Sequence, residues 1–169
     1  MPPEGVLHSV DPSCRRPRRG WFPVPRPLVL MALVWAPFLS LFLFASLGDR
    51  SHPHLAFHVF ALALLVPAAL LATRSFMTAS TRAQRVLTGV LVVTVPLSVV
   101  GHVLELAVAV ARFASDGWVD RDTSDIWVTG PHVWAANVTV PSMLLSMLTT
   151  VVLVVVTRVQ GRRRQAVLS

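Results

Sequence analysis

Residues 86–110 read VLTGVLVVTVPLSVVGHVLELAVAV, twenty-five residues that carry one formal charge, Glu105. As a helix, at about 1.5 Å per residue, this run outreaches the ~30 Å hydrocarbon core of a bilayer. Its apolar residues are bunched rather than spaced with the period of a half-buried element. It predicts a transmembrane helix.

Three further runs flank it. Residues 28–47 contain no charge, residues 55–73 are interrupted only by His58, and residues 133–157 form the last run. Polar segments separate them at 48–54, 74–85 and 112–131. The composition agrees. The chain is 54% hydrophobic and 14% charged, with a mean hydropathy of +0.64. Soluble domains carry about 25% charged residues, and these side chains cannot cover a soluble surface. The first run is too long for a signal h-region of about 7–15 residues, and the residues after it make a poor cleavage site. The expected fold class is all-α: an integral membrane four-helix transmembrane bundle spanning 28–157, with both termini inside. Residues 1–27, rich in Pro and Arg, are expected to be a disordered cytoplasmic tail. Residues 158–169 are expected to be a basic cytoplasmic tail.

Orientation follows from arginine. With the N-terminus inside, the N-terminal tail, the 74–85 loop and the C-terminal tail hold twelve of the fifteen Arg. Only Arg50, Arg112 and Arg121 fall outside, which is a strong positive-inside asymmetry. Trp118, Trp127 and Trp134 sit where an outer aromatic belt belongs. The absence of Lys beside fifteen Arg reads as the codon composition of a high-GC bacterium. The expected location is its plasma (inner) membrane. Arginines beside helix ends serve topology and contact anionic lipid, so the lipid bilayer is the expected partner, with a homo-oligomer or another membrane protein beside it and no nucleic acid. Each run contains a proline: Pro37, Pro67, Pro96 and Pro141. The first three predict kinks, and Pro141 lies close to the expected start of its helix.

A charge inside a membrane helix costs at least ~2.5–3.5 kcal/mol and needs a reason. Glu105 lies about 10 Å outward of the midplane, and His58, on the oppositely directed second helix, about 9 Å outward. Thr94, Ser98, His102 and Glu105 share one helical face, which should turn inward. Thr139, Ser142, Ser146 and Thr149/Thr150 make a matching stripe on the fourth helix. His54 is four residues before His58 and shares its face if the second helix begins by Pro53. His54, His58, His102 and Glu105 thus offer an N₃O set for a divalent transition metal. His58 and His102 could instead hold haem as the cofactor. The plainest reading makes His58 and Glu105 a buried pair that fixes helix packing.

Two other patterns fail. Asp120, Asp122 and Ser124 begin like a calcium loop, but Asp125 stands where Gly is required and Pro131 where the bidentate Glu belongs. Cys14 is the sole cysteine and can form no internal disulfide. The small four-helix drug exporters are similar in architecture only, since their key Glu lies in the first helix, which here is uncharged. The sequence therefore predicts a small multi-pass membrane protein without a catalytic motif. The expected role is non-enzymatic: structural, or binding a partner or ligand on the outer side. The alternatives are a haem- or metal-binding redox subunit using His58 and His102, and a proton-coupled transporter using Glu105.

Overall fold

A computed structural model of the chain describes residues 25–126 and 130–168. It contains four helices: α1 (Arg26–Ser46), α2 (Ser51–Met77), α3 (Arg82–Ser115) and α4 (Gly130–Leu168). Each is long and apolar enough to cross a membrane. Each helix packs on its sequence neighbours, and α4 closes the ring against α1.

The helices outrun the apolar runs. α2 begins at Ser51, which places Pro53 in its first turn, where a missing N–H costs nothing. α4 begins at Gly130, so Pro141 lies in the helix interior rather than near its start. It also continues through the arginines to Leu168, so the expected C-terminal tail is helical. Arg and Gln are good helix formers, and hydropathy limits a span rather than a helix. Residues 1–24 of the expected N-terminal tail and Trp127 lie outside the described residues, while Arg26 and Pro27 open α1.

Apolar and polar residues are distributed inside out. Phe42, Leu43, Leu70, Val93 and Leu148 face outward. Thr88, Thr94, Ser98, Thr139, Ser142, Ser146 and Thr150 are buried. Water would reverse this arrangement and a lipid solvent favours it. The hydroxyls join helices: Ser98 and Ser142 meet at 2.9 Å, and Ser146 donates to Thr94 at 2.7 Å. Trp35 Nε1 donates to Thr150 at 3.3 Å, linking α1 to α4. A purely apolar layer of Leu30, Val34, Ala61, Leu65, Ala68, Leu91 and Val95 fills the rest. At Gly101 a side chain is excluded, because a Cβ there would lie 3.1 Å from Thr139 Cα. This is the close helix approach that small residues permit in membranes.

One end of the bundle is capped. The α3–α4 loop folds back onto the α1–α2 turn through an antiparallel bridge between Arg50 and Asp122. Ser51 N donates to Arg121 O at 3.0 Å and Thr123 N to Asp49 O at 2.8 Å. Asp120 accepts from Arg50 Nε at 2.6 Å and from the backbone N–H of His52 at 3.0 Å. Those two donors hold the Asp120 carboxyl below the ordinary 3.8, the backbone N–H contributing most. Trp118 and Trp134 lie exposed around this end.

Candidate metal centre

Beneath the cap, three helices bring five ligand-type side chains together. α2 supplies His54 and His58, one turn apart. α3 supplies His102 and Glu105. α4 supplies His132, at its first turns. All five are buried: His58 and His132 are fully enclosed, and Glu105 is 4% exposed.

The geometry is tight. His54 Nε2 lies 3.2 Å from His132 Nε2. Glu105 Oε2 lies 3.5 Å from His132 Nε2 and 4.0 Å from His58 Nε2. One atom each from His54, His58 and His132 falls within a 4.8 Å group, as does one each from His58, His102 and Glu105. On the far side of the His58 ring, Nδ1 lies 3.1 Å from His102 Nδ1. Phe57 packs edge-on against His102 and tilted against His58. Thr139 Oγ1 donates to Glu105 Oε1 and also contacts the Ala135 carbonyl at 3.0 Å.

Sequence spacing pointed to His54, His58, His102 and Glu105, and the structure brings all four together. It adds two residues. His132 follows Pro131 at what reads as a loop end, but α4 begins two residues earlier and turns it inward. Its position at the outer start of the fourth run was the available signal. Thr139 stood out only as a packing hydroxyl, yet it holds the carboxylate.

Two overlapping groups, His54–His58–His132 and His58–His102–Glu105, share His58 and offer donor types that suit a transition-metal ion. Nitrogens bound at ~2.0–2.1 Å in a tetrahedron lie about 3.3 Å apart. The 3.2 and 3.5 Å separations are close to this, and the 4.0 Å one needs a small side-chain adjustment. A His58 tautomer protonated at Nδ1 donates to His102 and leaves the Nε2 lone pair facing Glu105 and His132. This is the outer hydrogen bond that metal-bound histidines use. Neither His58 Nε2 nor His102 Nε2 makes a hydrogen bond to a described residue, although both are buried. Such atoms are costly without a partner, and a cation supplies one for His58. The expected haem arrangement fits poorly, because His58 Nδ1 and His102 Nδ1 lie 3.1 Å apart with their rings T-shaped, within direct hydrogen-bond distance and too close to take opposite sides of one iron. His102 lies within reach of the His58 and Glu105 ligand atoms, as the spacing predicts, and His132 joins His54 and His58 in a second group.

A cleft lined by Gly48, Asp49, Arg50, Pro53, His54 and Thr123 reaches His54 from the capped end, between α1, α2 and the cap. Thr123 Oγ1 lies 3.4 Å from His54 Nδ1 at its floor. No family model, curated protein or solved structure matches the chain.

Proposed function

We propose that the protein is a multi-pass protein of a bacterial plasma membrane that binds one divalent transition-metal ion in the outer half of the bilayer. Both termini lie in the cytoplasm, on the evidence of the twelve-to-three arginine distribution. The ion is held by His54, His58, His132 and Glu105. His102 orients His58, and Thr139 orients Glu105. The role is ligand binding rather than catalysis.

One observation carries the reading. A membrane interior holds ionisable side chains only for a reason, and here four imidazoles and the only carboxylate within the spans converge from three helices. Helix packing alone would be served by hydroxyl pairs such as Ser98–Ser142, and it leaves the buried His58 Nε2 without a hydrogen bond. Imidazole-rich sites suit Zn, Cu, Ni or Fe, and Glu105 offsets part of the ion's charge.

The test is metal content. Protein purified in detergent and dialysed against Zn²⁺ should retain about one ion per chain. His132→Ala and Glu105→Gln should each lose it while keeping helical circular dichroism. A wild-type protein that retains none overturns the reading.

A further inference from the structure

The opposite end of the bundle carries a second feature that the metal site does not use. A cleft of about 180 Å³ lies there, far above the roughly 10–15 Å³ that admits one water. All four helices line it. Arg26 and Pro27 come from α1, Thr78 and Ala79 from the end of α2, Gln84 from α3 and Leu153 from α4.

Its donors point one way. Arg26 spends one guanidinium N–H on Thr78 Oγ1 at 3.3 Å, leaving the rest of its donor fork for a ligand. Gln84 accepts from Ser80 through Oε1 at 3.0 Å, which leaves its amide nitrogen as a donor. Among the described residues no carboxylate balances Arg26. The acidic ones are Glu105, Asp49, Asp116, Asp120, Asp122 and Asp125, toward the other end. Arg74, Arg82, Arg85 and Arg158 do not line the cleft. The cleft therefore suits an anion with several acceptor oxygens. Pro27, Ala79 and Leu153 give it an apolar wall as well, which a free anion would not use and the first methylenes of an acyl chain would.

The geometry points to a binding site for the phosphate-bearing headgroup of an anionic phospholipid, clamped by Arg26 and Gln84 between the α1 start and the α2–α3 connection. Basic pockets between membrane helices recognise such headgroups, and arginine matches phosphate with two parallel hydrogen bonds. The site is independent of the metal centre. It needs only that this end of the bundle lies at a headgroup layer, as it does in either orientation.

Native mass spectrometry in nanodiscs tests it. Wild-type protein released from phosphatidylglycerol discs should carry about one lipid, and protein from phosphatidylcholine discs should carry none. Arg26→Gln, an exposed position that folding tolerates, should weaken retention about fivefold or more. The combined Arg74→Gln, Arg82→Gln, Arg85→Gln variant should retain the lipid within about twofold. Equal retention of both lipids, no effect of Arg26→Gln, or an equal loss in the triple variant overturns the site, the last showing diffuse surface attraction. Inorganic phosphate displacing the lipid at equal concentration would also overturn it, making the cleft a free-anion site.

Discussion

His102 and Glu105 stand three residues apart on α3 and serve the cluster differently. In the proposed centre Glu105 binds the ion and His102 holds His58. The two roles separate in a titration. His102→Ala should keep the stoichiometry of one ion while weakening affinity about 10- to 100-fold, the range for a lost outer hydrogen bond. Loss of all binding would make His102 a ligand instead. Asp120 offers a second test at this scale, outside the membrane. Its carboxyl is held below the ordinary 3.8 by the His52 N–H and Arg50. A lowered folded value stabilises the cap above the unfolded value, and that contribution is lost as pH falls through the folded one. Hydrogen exchange of amides 116–126 should therefore quicken as pH drops below about 4, beyond the intrinsic pH trend. In Asp120→Asn the fast exchange should already be present at neutral pH. Protection that is the same in both proteins would remove Asp120 as the latch.

At the scale of elements, α3 is the helix on which the bundle turns, packing against both α2 and α4. Two of its glycines make opposite predictions. A Cβ at Gly101 would lie 3.1 Å from Thr139 Cα, and backbone cannot yield as a side-chain tip does. Gly101→Ala should cost about 1–3 kcal/mol of stability and disturb the Thr139–Glu105 contact. At Gly89 the Cβ would meet only the Phe76 ring at 3.5 Å, an ordinary contact. Gly89→Ala should be neutral or stabilise by up to about 1 kcal/mol. Detergent unfolding followed by circular dichroism compares them, and equal effects would contradict the close α3–α4 approach.

The helices themselves were legible because each apolar run is long enough to be nothing else. Their ends were not, since α4 runs on through Arg158 and Arg162, where polarity ends a span without ending a helix. The site was legible in part. His58 and Glu105 match in depth when traced along helices of opposite direction, and Nε2 and Oε2 indeed lie 4.0 Å apart. Depth cannot say which face of α4 turns inward, so the sequence alone does not bring His132 to the site. Nor can it show that the α3–α4 loop folds over the α1–α2 turn, because the Arg50–Asp120 pairing spans seventy residues.

The whole molecule is an apolar outer belt around a polar interior, with the proposed metal centre at one end and the proposed anion cleft at the other. The orientation is open to direct labelling. With Cys14→Ser as background, Asp122→Cys should react with a membrane-impermeant maleimide in intact cells, and Ser80→Cys only after permeabilisation. The reverse pattern would turn the protein over. In the proposed centre, histidines from α2 and α4 and the carboxylate of α3 bind one ion inside the membrane. X-ray absorption at the zinc edge of the zinc-loaded, detergent-purified protein tests this most directly. Three imidazole nitrogens and one oxygen should appear at about 2.0–2.1 Å, with multiple scattering from three histidine rings. A shell of water oxygens, or scattering from fewer than two rings, would contradict it.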